Sequence, residues 1–310
     1  MMLTWLALVS LLAPLADGSH GWKVLAADKG KVAVVDASGV VLWDYPTKAE
    51  VHDLWLLPNG NVLLPLGPAT IAEVTPTKQI AWKYDCKTKL GYTGRIEVHA
   101  FQPLGDGNLM IAESGNARIV EINRIGAITK EIALKVDHPN PHRDTRMARK
   151  LKNGNYLVCH EADGAVREYD DAGKVVWEYK LDLGGRPRTP GHGVEGHGTE
   201  IYGAVRLASG NTLIAGGNNN RVLEVSPKGE IVWKIDHNEL PGVQLAWVTQ
   251  LHVLPNGNIV VGNCHAGEAN PQLFEVTRDK KVVWTFKNFT TFGNGLAASF
   301  LLDTPPGTIR

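Results

Sequence analysis

The chain has 310 residues, 44% of them hydrophobic, with 33 Gly and 9 Trp. Its 32 basic and 32 acidic side chains cancel, which excludes the basic stripe of a nucleic-acid binder and the polybasic face of a peripheral membrane protein. Three cysteines, Cys86, Cys159 and Cys264, without any short spacing exclude a disulfide framework and a zinc knuckle, and leave buried small side chains as their role.

Taken in order, residues 3–15 form an apolar run too short to span a bilayer, followed by the small residues Ala16 and Gly18. The pattern predicts a signal peptide over 1–18 and a mature chain of 19–310, secreted or periplasmic, with no membrane insertion once the segment is removed. An uncleaved buried strand is the alternative reading.

From there the chain repeats itself. Leu57, Leu104, Leu151, Leu207, Leu254 and Leu301 fall at successive intervals of 47, 47, 56, 47 and 47 residues. After five of these leucines comes a turn: Asn59-Gly60-Asn61, Asp106-Gly107-Asn108, Asn153-Gly154-Asn155, Ser209-Gly210-Asn211 and Asn256-Gly257-Asn258. Asn-Gly and Asp-Gly supply the positive φ of tight hairpins, so each marks a strand folding back on the next. A fixed period of about 40 to 50 residues built of short strands is the signature of a β-propeller blade.

Each repeat carries four strand patterns. In the second they cover 51–57, 62–66, 71–74 and 80–84. The third strand repeats a glutamate (Glu73, Glu121, Glu168, Glu224, Glu275), and the fourth repeats a tryptophan (Trp43, Trp82, Trp177, Trp233, Trp284) with Lys130 in the remaining repeat. Groups that recur so evenly read as wedges between blades rather than as chemistry. Residues 22–45 supply only the last three strands of a blade and 295–302 only a first strand. Joined, they complete a ring and remove its exposed edges. The prediction is an all-β, six-bladed β-propeller.

Asp36-Ala37-Ser38-Gly39-Val40-Val41-Leu42-Trp43, Asp170-Asp171-Ala172-Gly173-Lys174-Val175-Val176-Trp177 and Ser226-Pro227-Lys228-Gly229-Glu230-Ile231-Val232-Trp233 resemble the tryptophan-docking repeats of the PQQ-like propeller superfamily. Within that group, His52-Asp53 followed by Leu57-Pro58-Asn59-Gly60-Asn61 is similar to the pattern of arylsulfotransferase-like six-bladed propellers, with His99 at the matching place of the next blade. The resemblance implies the fold firmly and a reaction only loosely, because propellers host unrelated functions.

The first strand of a blade lies nearest the axis, so the residues entering it line one mouth of the central channel. Ten residues before each turn glycine stand Glu50, Glu97, Asp144, Glu200, Trp247 and, in the closing blade, Asn294; two residues on stand His52, His99, Arg146, Tyr202, Thr249 and Leu296. These groups either satisfy one another around channel water or form a site, since a ring of four acids needs compensation by Arg146, protonated histidines, a cationic ligand or a divalent cation. The extra nine residues fall between Trp177 and Glu200, in a Gly/Pro-rich stretch that predicts a structured surface loop carrying His192 and His197 to the same face. Turns between second and third strands add His160-Glu161, Asn218-Asn219-Asn220 and Cys264-His265, whereas His252 reads as a satisfied interior histidine.

Four functions compete for these residues. One is a binding propeller that takes a small molecule, a glycan or a partner protein at the mouth through Glu50, Glu97, Asp144, Glu200, Tyr202, His160, His192, His197 and His265. The second follows from the resemblance: an arylsulfotransferase-like enzyme with His52 or His99 as nucleophile and Arg146, Arg186 or Arg188 neutralising the transferred group. The third, a PQQ dehydrogenase, is disfavoured because the resemblance there implies eight blades and an adjacent-cysteine pair. A metal-assisted lyase or hydrolase built on the His/Glu cluster completes the set.

Overall fold

In the computed structural model, which describes residues 21–310, successive strands alternate their side chains between the two neighbouring blades. In Lys23–Asp28, Val24 and Ala26 pack on one side and Leu25 and Ala27 on the other. Such strands are buried on both faces and read as continuous apolar runs. Repeated around the axis, this alternation builds six antiparallel four-stranded blades.

The closing blade joins Ala298–Leu302 to Lys23–Asp28, with Leu25 opposite Phe300, and continues through Lys31–Val35 to Val41–Pro46. The ring is therefore fastened by pairing of chain segments about 270 residues apart, as the incomplete end repeats predict. Six apolar clusters fill the six interfaces between adjacent blades. A seventh, of Tyr202, Trp247 and Cys264, lies near the channel mouth.

The repeated residues lock one blade to the next. Glu73, Glu168, Glu224 and Glu275 stand directly opposite Trp82, Trp177, Trp233 and Trp284 on the outermost strands, and the register slips at the following residue each time. Four of the tryptophans reach across the gap: Trp43, Trp82, Trp177 and Trp233 donate their indole N–H to the carbonyls of Pro76, Arg124, Pro227 and Arg278. Glu73, Glu168, Glu224 and Glu275 each accept from their own blade's turn and from a neighbour, whereas Glu121 accepts from Lys150 and Tyr156 of the next blade. Glu168, for example, takes Asn155 at 2.6 Å and Arg206 of the next blade at 2.7 Å. In the turns only the glycine has positive φ, from 82° at Gly60 to 90° at Gly154. The hairpins are thus type I turns closed by a left-handed glycine, not the two-residue turns that Asn-Gly suggests.

One strand is shorter than its pattern. The first strand of the second blade is ordered as a ladder only over Trp55–Leu56. Continuing its register brings Asp53 opposite Pro65, which has no N–H and whose carbonyl already accepts from Thr47 Oγ1 at 2.8 Å. The freed segment instead buries the Asp53 carboxylate, which takes Arg149 at 2.7 and 3.2 Å and Arg310 at 3.0 Å. No helix among the described residues is long and apolar enough to cross a membrane. The 1–18 segment lies outside the described residues.

Candidate functional site

Residues two apart on a strand share a face, so the paired columns of the sequence converge at one end of the axis. They border a cavity of about 690 Å³ lined by Glu50, His52, Arg146, Glu200, Tyr202, His192 and His265 together with Arg143, Glu161, Arg188 and Trp247. Glu97 and His99 border an adjoining space of about 460 Å³, and Glu50 and His142 belong to both.

The acids do not form a bare ring. Arg146, 4% exposed, donates to Glu161 at 2.5 Å and to His52 Nε2 at 2.9 Å. Arg143 takes the other Glu161 oxygen at 2.8 Å and reaches Glu200 at 3.3 Å, and Arg188 holds Glu200 at 2.9 Å. Base and acid therefore alternate along one wall. Burial opposes the Glu200 charge, yet its hydrogen bonds, with Asn218 and Arg188 among the partners, hold that carboxyl below its usual range.

Because an arginine can only donate, His52 Nε2 is an acceptor and the imidazole is neutral, with its proton on Nδ1 beside the Tyr202 hydroxyl at 3.3 Å. Burial, then Arg146, His99 and His142, push its pKa well below that of a free histidine. Tyr202 is anchored in turn to the carbonyl of Ala297 at 3.0 Å.

A second cluster stands at the edge. The rings of His52, His99 and His142 meet edge to face, with centroids 4.8 Å apart for His52–His99 and 5.3 Å for His99–His142. His99 Nδ1 faces the carbonyl of Thr145 at 3.1 Å, so it carries the proton. Its Nε2 lies 3.1 Å and His142 Nδ1 lies 2.7 Å from the same oxygen of Glu97. Burial and Arg146 bring His99 down to about 4, which turns a bare Nε2 lone pair toward a carboxylate.

The loop predicted from the nine-residue excess is ordered by a Thr189–His197 bridge and by Asn220, which donates to the carbonyl of Gly196 at 2.7 Å. It carries Arg188 and His192 over the cavity. The His192 ring packs against Trp247 at 4.7 Å and His265 at 5.5 Å, giving the cavity an aromatic wall beside the charged one. Gly198 permits this path, since a Cβ there would sit 2.1 Å from the Glu200 carboxylate.

Other predicted residues stand behind the surface. Asp144 is buried, its carboxylate accepting the backbone amides of Asn140 and Gly115, and burial raises its pKa. His160 is fully buried between the Asp144 carbonyl at 2.7 Å and the Tyr169 hydroxyl at 2.9 Å. His197 is 1% exposed and donates to the carbonyl of Leu183. None of these three borders the cavity. His252 is interior as expected, but its Nε2 finds no partner among the described residues. Cys264 does border the cavity, with a thiol that burial pushes far up, which keeps it protonated.

Sequence reasoning missed His142 and Arg143, which lie on the loop before the fourth blade's first strand, Met147–Lys150. A signal existed: two residues upstream of the acid column stand Lys48, Arg95 and His142, all bordering the adjoining space.

With this geometry in place, comparison with known proteins is informative about the fold. A protein of unknown function from Bacteroides caccae superposes with a TM-score of 0.74 at 24% identity, covering 92% of this chain and all (100%) of its own. Catalytically inactive virginiamycin B lyase from Staphylococcus aureus with quinupristin gives 0.53 at 16% identity, covering 86% and 85%. BBS1N in complex with ARL6DN gives 0.53 at 14% identity, covering 86% and 76%. At these identities the likeness carries the propeller fold alone. Among curated proteins none matches the sequence. The family model described as outer membrane protein assembly factor BamB matches residues 28–286, and the chain belongs to that PQQ-like repeat family.

Proposed function

We propose that the chain is an exported binding propeller that holds a small polar molecule in the cavity at its channel mouth. The observation that carries this reading is a pocket of about 690 Å³ in which Arg143, Arg146 and Arg188 are already paired with Glu161 and Glu200. Its size lies inside the range of about 300–1,000 Å³ typical of small-molecule sites. The lining has five cationic side chains, Lys29, Lys31, Arg143, Arg146 and Arg188, against four acids, Asp28, Glu50, Glu161 and Glu200. Near balance disfavours a multiply charged anion. Alternating donors and acceptors on one wall and the Trp247, His192 and His265 rings on the other suit a ring compound with several hydroxyls or a zwitterion, with a glycan unit the favoured class. Export rests on the 1–18 segment and accords with a family described by an outer membrane protein.

Sulfuryl transfer is the weaker reading. A histidine nucleophile needs a lone pair that an anionic donor can reach; His52 Nε2 is already the acceptor for Arg146, and His99 Nε2 faces the Glu97 carboxylate, which repels a sulfate ester. Calorimetric titration of the purified chain with mono- and disaccharides, with and without the paired substitutions Arg143→Ala and His192→Ala, tests the proposal. Saturable binding weakened at least tenfold by the pair supports it. Binding that survives the pair unchanged, or no binding across the panel, rejects the glycan assignment.

A further inference from the structure

Glu97, His99 and His142 turn three donor atoms toward one point at the corner between the two cavities, all within 4.8 Å of one another. Two imidazole nitrogens share a single carboxylate oxygen there, at 3.1 and 2.7 Å. Ligands about 2.1 Å from a common ion stand roughly 3–4 Å apart, so small side-chain adjustments would seat one.

The surroundings have the form that metal-binding histidines need. Thr145 O fixes the tautomer of His99 by taking Nδ1–H, which leaves Nε2 to ligate, the usual outer-shell arrangement for such a ring. Arg95 holds the other Glu97 oxygen at 2.8 Å. Glu97 and His99 sit two residues apart on the strand Glu97–Pro103, a rigid element, and share its face. Arg146, whose charge would repel a cation, is neutralised by Glu161 at 2.5 Å. The His142 side chain is 35% exposed, which leaves one side of the cluster open.

The geometry points to a divalent transition-metal site of the zinc class, with Glu97, His99 and His142 as three protein ligands and the fourth position open toward the adjoining cavity. Two imidazoles and a carboxylate are the donor set of open zinc sites, and an open position admits water or an oxygen of a bound molecule. The inference goes beyond the glycan reading and stands without it.

The test is calorimetric titration of the chelator-stripped full chain with zinc chloride at neutral pH, paired with the visible absorption of its cobalt(II) form. The expected result is one ion per chain and a cobalt band typical of a tetrahedral nitrogen/oxygen site. His142→Ala and Glu97→Gln each weaken zinc binding at least tenfold and abolish the band, while His138→Ala, at the exposed pair with Asp163, changes neither. His142→Ala is the key variant because that ring is partly exposed and its loss spares the core. Failure to take up about one equivalent, or uptake and spectrum unchanged in folded His142→Ala and Glu97→Gln chains, overturns the site.

Discussion

Arg146 donates to His52 Nε2 at 2.9 Å while its guanidinium pairs with Glu161 at 2.5 Å. One buried cation thus sets the tautomer of a channel histidine and neutralises a channel acid. Removing it strands the Glu161 charge, whose remaining partner, Arg143, is partly exposed. Breaking a buried pair from one side costs about 3–5 kcal/mol. Arg146→Met is therefore expected to lose about 3 kcal/mol in urea denaturation, and the double variant with Glu161→Gln to recover at least a third of that. Additive losses would mean that the two residues are not coupled.

Asp53 follows His52 in the sequence but is buried and does not border the cavity. Its carboxylate holds Arg149 and Arg310 and accepts the backbone amide of Phe101 at 3.2 Å. Asp53→Asn is expected to destabilise the ring by about 3 kcal/mol or more, with ligand affinity at the mouth unchanged. A shift in affinity without loss of stability would show that the motif acts as a unit at the site.

The blade locks should behave independently. Glu73 joins Asn61 at 2.6 Å and Arg124 of the next blade, and Glu224 does the same with Asn211 at 2.7 Å and Arg278. Each Glu→Gln change is expected to cost about 1–2 kcal/mol. Together they should add within about 0.5 kcal/mol, since the sites share no partner. Strong non-additivity in denaturation would indicate that strain passes round the closed ring.

How much of this was legible is clearest at single residues. Period, blade count and ring closure follow from leucine spacing and hairpin glycines, because they are local patterns repeated in register. Glu168 and Trp177 were each readable as inter-blade groups for the same reason, though their pairing across the two strands was not. Burial within a blade was not: His160 and Asp144 look like mouth residues until the fold gives their polar atoms backbone partners. His142 and Arg143 escaped because their loop carries no turn motif, although Lys48, Arg95 and His142 share one offset. The nine-residue excess announced a loop, but its consequence, His192 against Trp247, depends on packing between segments far apart in the chain.

Acid should loosen the fold through histidines held neutral. Burial first, then Arg167, lowers His160 to about 4; burial first, then Arg310, lowers His252 to about 3. Their ordinary value is 6.5, so the unfolded chain takes up these protons first. Their contribution is fully present above about pH 6.5 and is lost as pH falls toward about 3–4, at up to about 1.4 kcal/mol per pH unit for each ring. Urea midpoints measured through that window should fall with pH, and His160→Gln should flatten part of the slope. A midpoint that rises on acidification would contradict the burial of these rings as neutral groups.

The most direct test of the account is native mass spectrometry of the chain purified from an envelope fraction, compared with the Arg143→Ala and His192→Ala pair prepared identically. An exported propeller with a ligand at its channel mouth gives a mass consistent with residues 19–310, carrying a small-molecule adduct that the paired variant loses. An adduct of equal occupancy in the variant, or a wild-type chain that carries none and takes up none of the saccharides offered, would contradict a ligand site at the channel mouth.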